Sequence, residues 1–63
     1  MDFTIIRSAR RARKLKVDEL AEQAGISRGY LSQIERNLKI PPLGTLNKIC
    51  EKLDLELRII PKI

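Results

Sequence analysis

The chain has 63 residues, and its 13 lysines and arginines outnumber its 8 acidic residues, which gives a formal net charge of +5 and a pI near 9.9. A chain this short folds as one domain, residues 1–63. Its single cysteine excludes an internal disulfide, and this lone thiol together with the lack of histidine argues against a metal centre, so we expect no cofactor. No apolar run is long enough to cross a bilayer and no signal-peptide core follows the start, so we expect a cytoplasmic protein. Its positive charge suits a polyanion, either nucleic acid or an anionic membrane surface.

The first predicted element is a basic helix over residues 3–14. Asp2 precedes it and can cap its free N–H groups. Apolar residues recur about one turn apart, as in a helix with one buried face: Phe3, Ile6, Ala9 and Ala12. The remaining surface is basic, with Arg7, Arg11 and Lys14 on one face, and such a charge run is more often a solvated face than a binding site.

Two short helices joined by a tight turn are predicted next, over residues 17–24 and 28–36. Gly25 lies where the first of them must end, because a residue without a Cβ atom adopts the left-handed conformation at low cost. Ser27 can cap the second helix with its hydroxyl. Lys16 cannot accept a capping hydrogen bond, so we expect the helix over 17–24 to begin weakly. Apolar residues recur at helical spacing in both helices: Leu20, Ala21, Ala24, Leu31 and Ile34.

A loop and a fourth helix, over residues 43–53, follow. Asn37 can adopt the left-handed conformation that ends a helix, and two prolines in the loop prevent that helix from continuing. The apolar face of the fourth helix consists of Leu43, Leu46, Ile49, Cys50 and Leu53. We interpret Cys50 as a small buried residue, since the chain has no histidine that could act as its base.

The periodicity changes after Asp54 from that of a helix to the alternation of a strand. Leu55, Leu57 and Ile59 alternate with charged residues, which predicts a strand over residues 55–60. An unpaired strand edge is a template for another chain. We therefore predict that the same strand of a second copy pairs with it about a twofold axis, which makes the protein a homodimer.

The turn and its flanking residues resemble the helix-turn-helix of the lambdoid phage repressors and Cro proteins, often called the Xre family. The resemblance covers residues 5–53 and rests on three segments without insertion: Leu20-Ala21, Gly25-Ile26-Ser27 and Leu31-Ser32-Gln33-Ile34-Glu35-Arg36. It implies a mostly α fold, a four-helix lambda-repressor-like DNA-binding domain, here with one short C-terminal β-strand. The alternative is an αα-hairpin used only for packing, and the polar outer face of the second helix argues against it.

The resemblance implies a sequence-specific regulator of transcription, a repressor that binds an inverted-repeat operator in double-stranded DNA as a homodimer. The predicted DNA-binding residues are Ser27, Arg28, Gly29, Tyr30, Ser32, Gln33, Arg36, Asn37 and Lys39. Arg28 is the candidate for guanine, because its guanidinium can bond O6 and N7 together, and Gln33 suits adenine or a neighbouring phosphate. Tyr30 has two interpretations, packing against the loop or a hydrogen bond to phosphate, and we favour the second.

A structural ion pair is a further implication of the resemblance. Lambdoid repressors pair an arginine of the first helix with a glutamate that ends the recognition helix, and the matching residues here are Arg10 and Glu35. We expect this pair to fix the first helix against the third, so that removing one partner strands the other charge.

Other functions fit less of the chain. The tail departs from the lambdoid repressors, which have a fifth helix there, and resembles HipB-type antitoxins that dimerise through a strand. The alternative function is therefore an antitoxin that also binds a kinase-like toxin. A basic helix that binds RNA or a membrane surface leaves the turn from Gly25 to Ser27 unexplained. Without a catalytic motif or a glycine-rich phosphate loop, we expect no enzymatic activity.

Overall fold

Four helices make up most of residues 2–55, the part of the chain that the computed structural model describes. They are α1 (Thr4–Ala12), α2 (Val17–Ala24), α3 (Arg28–Glu35) and α4 (Leu43–Lys52). The predicted order of four helices is confirmed, and each boundary lies within two residues of its predicted position. Within this part of the chain no helix has the length and apolar character needed to span a bilayer.

The core forms where α2 packs against both α3 and α4, while α1 packs against α3. Six large side chains are almost fully buried there: Ile6, Leu20, Leu31, Ile34, Ile49 and Leu53. Helices as short as 8–10 residues are marginal on their own, so their stability depends on this shared apolar interface. Cys50 is also buried, and burial raises the pKa of its thiol, which therefore stays protonated at neutral pH.

Two apolar residues predicted to face the core are exposed instead. Leu43 is 54% exposed, and Ala12 is also in an exposed position. Both lie at a helix end, Ala12 as the last residue of α1 and Leu43 as the first of α4. Because α4 buries its later residues, from Leu46 onward, its first residue lies beyond the contact with the core.

All four helices end with a residue in the left-handed conformation just beyond them. These residues are Lys14 (φ 57°), Gly25 (φ 71°), Asn37 (φ 60°) and Asp54 (φ 52°). In each case the N–H of the following residue donates a hydrogen bond to the carbonyl oxygen five residues earlier, which satisfies a carbonyl that the helix leaves free. The predictions for Gly25 and Asn37 are confirmed. The same conformation is not predicted from the sequence at Lys14 or Asp54, although aspartate adopts it more readily than most residues.

The end of α4 corrects the start of the predicted strand. The N–H of Leu55 donates to the carbonyl oxygen of Cys50 at 2.8 Å and thereby closes the helix. The side chain of Leu55 is half-buried and packs against the core. Leu55 therefore belongs to the helical domain, while the rest of the predicted strand, including Leu57 and Ile59, lies outside the described residues.

A hydrogen-bonded clasp joins the start of α1 to the end of α3. The N–H of Phe3 donates to Oδ1 of Asn37 at 2.8 Å, and Nδ2 of Asn37 donates to Oδ1 of Asp2 at 3.0 Å. The same Asp2 oxygen accepts the N–H of Thr4 at 2.9 Å, as its predicted role at this helix start requires. The hydrogen bond from Asn37, together with that from Thr4, lowers the pKa of Asp2 to about 2.

This clasp is expected to make stability depend on pH in the acid range. Asp2 has a lower pKa in the folded state, about 2, than its ordinary value of 3.8, so it stabilises the folded state at pH values above the ordinary value. That contribution is lost as the pH falls through about 2. We expect the wild type to be more stable than Asp2→Asn at pH 5, with the difference shrinking as the pH approaches 2. Urea unfolding at several pH values measures it, and a difference that stays constant with pH would contradict the role of this carboxylate.

Candidate nucleic-acid interface

The turn between α2 and α3 fixes the direction in which α3 leaves the core. Gly25 ends α2 with φ 71°, and the partly buried Ile26 packs against the core. Ser27 caps α3, because its Oγ accepts the N–H of Tyr30 at 3.1 Å. Ala21 is 2% exposed, and its small side chain allows α2 and α3 to approach closely. The predicted turn and cap are confirmed, and the direction of α3 is set by local bonds.

The start of α2 has a hydrogen bond that is not predicted from the sequence. Lys16 offers no capping side chain, but its own N–H donates to Oε1 of Glu19 at 2.9 Å. This bond is one half of a capping box, in which an acidic residue three positions on accepts from the residue before the helix. The spacing of Lys16 and Glu19 is the signal that could have indicated it.

The outward edge of α3 is polar and basic. Leu31 and Ile34 are fully buried on its inner side. On the opposite side Arg28, Gln33 and Arg36 are exposed, and within residues 2–55 their side chains form no ion pair. The exposed edge of α3 therefore presents hydrogen-bonding groups that the fold itself does not use.

The ion pair expected from the resemblance is formed, and it fixes α3 against α1 on the side away from the exposed edge. Nε of Arg10 donates to Oε2 of Glu35 at 2.8 Å, and Nη2 donates to Oε1 at 3.0 Å. Nη1 of Arg10 also donates to the carbonyl oxygen of Leu15 at 2.9 Å. The side chains of Arg10 and Glu35 are only 11% and 5% exposed. Arg10 thus ties α1 and the segment that follows it to the last residue of α3.

Three of the predicted DNA-binding residues are also used by the fold. The hydroxyl of Ser27 is the cap of α3, and the carboxamide of Asn37 is engaged in the clasp with α1. Tyr30 is partly buried and packs against the core, while its hydroxyl makes no hydrogen bond within residues 2–55. The structure thus places Tyr30 against the core, and the hydrogen bond from its hydroxyl to phosphate stays a prediction. Lys39 lies exposed in the loop before α4.

The basic residue just after α1, Arg13, has a role that the sequence does not indicate. Nε of Arg13 donates to the carbonyl oxygen of Leu53 at 3.0 Å, and its Nη2 lies 3.0 Å from Oδ2 of Asp54. Arg13 therefore ties the end of α1 to the end of α4. These partners are about 40 residues apart in the chain, so no local pattern could have identified them.

Gly29 lies on the exposed edge of α3, and the fold does not require a glycine there. Its φ is not in the left-handed region, and a Cβ atom added to it would meet nothing within 4 Å. Gly29→Ala should therefore stabilise the domain, by at most about 1 kcal/mol, the difference between the two residues in a helix interior, because Gly29 lies in the first turn of α3. Thermal unfolding measures this effect, and a lower midpoint for Gly29→Ala would contradict the described conformation.

Gly44→Ala is the matched control for that substitution. Gly44 lies in α4, and a Cβ atom there also meets nothing within 4 Å. Both variants should be more stable than the wild type. If α3 approaches DNA closely at Gly29, only Gly29→Ala should also weaken DNA binding.

These features together define a helix-turn-helix domain. The first helix ends at a left-handed glycine, a serine caps the second helix, and the second helix has one buried side and one polar, basic side. The family model described as Helix-turn-helix matches residues 6–60, and the chain belongs to this family. The resemblance stated from the sequence is confirmed at this level.

Several similar proteins carry names of regulators or repressors. An HTH-type transcriptional regulator of Sinorhizobium fredii is 40% identical over 57 residues, which are 90% of this chain and 29% of that protein. The immunity repressor protein of Bacillus phage phi105 is 40% identical over 55 residues, 87% of this chain and 38% of the repressor. The HTH-type transcriptional regulator SinR of Bacillus subtilis is 38% identical over 56 residues, 87% of this chain and 50% of SinR. The chain thus spans half or less of these relatives.

Two solved structures share the fold. A crystal structure of SinR in complex with DNA superposes with a TM-score of 0.80 at 38% identity, over 89% of this chain and 90% of that chain. A complex of SinR with SinI also gives a TM-score of 0.80, at 39% identity, over 87% of this chain and 54% of that chain. These structures support the four-helix architecture described above.

Proposed function

We propose that the protein is a sequence-specific DNA-binding regulator of transcription, a repressor, which places α3 in the major groove. The observation that carries this proposal is the polar, basic edge of α3, held rigid by the Ser27 cap and by the buried pair of Arg10 and Glu35. The net charge of +5 favours association with a polyanion. The repressors and regulators among the relatives, and the SinR–DNA complex, support the same function.

The residues on and after this edge divide into those proposed to contact bases and those proposed to contact phosphates. Arg28, in the first turn of α3, bonds O6 and N7 of a guanine, and Gln33 bonds an adenine or a neighbouring phosphate. Arg36 and Lys39, beyond the end of α3, bind phosphates of the DNA backbone and position the domain without recognising sequence. The hydroxyl of Tyr30 is a further phosphate donor. This division follows the usual geometry, in which the N-terminal part of a recognition helix contacts the bases.

We further propose that two copies bind an inverted repeat whose half-sites lie about 34 Å apart. Support for the dimer comes from the alternation of apolar residues over 55–60 and from the resemblance to strand-paired proteins. Since Leu55 packs against the core, the contact between copies would begin after it, at Leu57 and Ile59. Such a dimer would act on DNA in the cytoplasm.

Selection of binding sites from a pool of random duplexes tests this function. We expect enrichment of a palindrome with half-sites about 10 base pairs apart, centre to centre. The control is the double variant Arg28→Ala/Gln33→Ala, which keeps the fold and most of the charge. It should retain weak binding to all duplexes and enrich nothing. Failure of the folded wild type to enrich any sequence would refute the proposed function.

A further inference from the structure

A polar depression lies between α1 and α3, next to the exposed edge of α3. It has a volume of about 340 Å³ and is lined by Arg7, Ser32, Glu35 and Arg36. Arg7 comes from α1, and the other three lining residues come from the second half of α3 and the residue after it. From the sequence, Arg7 belongs to a basic face and has no predicted role in binding.

The depression carries an excess of positive charge. The carboxylate of Glu35 has both oxygens occupied by Arg10, so its negative charge is already neutralised. Arg7 and Arg36 are exposed, and neither forms an ion pair within residues 2–55. Two unneutralised guanidinium groups and the hydroxyl of Ser32 therefore border the same space, and all of them can donate hydrogen bonds to an anion.

The spacing of residues along α3 is compatible with a DNA phosphate in this depression. Arg28, Ser32 and Arg36 recur every four residues and form one row along α3. At about 1.5 Å per residue, Arg36 lies about 12 Å along the helix axis from Arg28, a distance similar to the width of the major groove. If Arg28 contacts a base edge, the other end of the row reaches the phosphates that border the groove.

We propose that this depression binds one phosphate of the DNA backbone, through the guanidinium groups of Arg7 and Arg36 and the hydroxyl of Ser32. The proposal rests on the proposed function and adds α1 to the DNA interface. It also gives the buried ion pair a second consequence: by neutralising Glu35, Arg10 allows an anion to approach a depression that contains a carboxylate.

The salt dependence of binding tests this site. Each phosphate neutralised contributes about −0.9 to the slope of log K against log salt, so Arg7→Gln should make the slope shallower by about 0.9 per bound copy. Affinity should fall by the same factor on a selected site and on random duplex, because a phosphate contact carries no sequence information. The matched control is Arg11→Gln, one turn further along α1 and not part of the depression. It should change the slope much less.

A shared site makes a second, stricter prediction. If Arg7 and Arg36 bind the same phosphate, the double variant Arg7→Gln/Arg36→Gln should lose little more slope than either single variant. A double variant whose loss of salt slope equals the sum of the two single losses would overturn the shared site. Equal effects of Arg7→Gln and Arg11→Gln on the salt slope would also overturn it. Absence of any duplex binding by the wild type would instead refute the proposed function. Thermal unfolding of each variant, expected near the wild-type midpoint, separates lost binding from lost folding.

Discussion

Glu35→Ala should destabilise the domain by about 3–5 kcal/mol, the usual cost of removing one partner of a buried ion pair. The substitution leaves Arg10, whose side chain is only 11% exposed in the wild type, with no carboxylate beside its guanidinium. A domain of this size has a total stability of about 3–9 kcal/mol, so this loss would unfold a large part of the population. Urea unfolding, or the thermal midpoint where the variant still folds, measures the effect.

Two further variants distinguish the ion pair from a general effect of charge. Glu22→Ala removes an exposed glutamate of α2 and should change stability by less than about 0.5 kcal/mol. Replacing both partners, as Arg10→Met/Glu35→Leu, should recover much of the stability lost by Glu35→Ala, because no charge is then left buried. An unchanged midpoint for Glu35→Ala would show that the pair does not hold α1 against α3.

Arg28→Ala should weaken binding to the selected site by about 1–3 kcal/mol per half-site, and by about twice that for a symmetric dimer. A guanidinium bonded to O6 and N7 distinguishes guanine from the other bases, so the preference at one position of the half-site should be lost with it. Binding to random duplex should change little by comparison. Fluorescence anisotropy with the selected site, single-base variants of it and random duplex measures all three effects.

Lys39→Ala is the control for Arg28→Ala. Lys39 is exposed in the loop after α3, where we propose a phosphate contact. Its removal should weaken binding to every duplex alike and make the salt dependence shallower, with the sequence preference intact. Equal behaviour of the two variants would mean that Arg28 contacts the backbone and does not recognise a base.

The features that the sequence predicts correctly are those that depend on neighbouring residues. Gly25 and Ser27 shape the turn through their own backbone and hydroxyl, and the apolar residues of α2 and α3 repeat within a few positions. The left-handed Asn37 is likewise a property of one residue and its immediate neighbours. Local chemistry is thus enough to predict the helix-turn-helix and the side of α3 that faces outward.

Several of the features that the sequence does not predict depend on residues far apart in the chain. The clasp between Asp2 and Asn37 and the bond from Arg13 to Leu53 join residues 35 and 40 positions apart. The pair of Arg10 and Glu35 could be expected only because a family resemblance supplied it. The depression beside Arg7 forms only when α1 and α3 pack together, so no spacing within either helix could indicate it.

The two ends of α3 are held by different contacts. Its N-terminal end is held by the Ser27 cap, while its C-terminal end is held by Arg10 through Glu35 and by the clasp at Asn37. A recognition helix fixed at both ends is preorganised, so its exposed side chains need little ordering when they meet DNA. In the proposed mode of binding, Arg28 and Gln33 supply the sequence preference, and the basic residues at and beyond the C-terminal end of α3 supply the salt-dependent affinity.

Methylation interference on a selected site tests directly whether the exposed edge of α3 contacts base edges in the major groove. A methyl group on guanine N7 lies in the major groove, whereas one on adenine N3 lies in the minor groove. We predict that N7 methylation of guanines in two half-sites about 10 base pairs apart prevents binding, while N3 methylation does not. Binding that tolerates N7 methylation throughout the site, or that only N3 methylation prevents, would contradict the account.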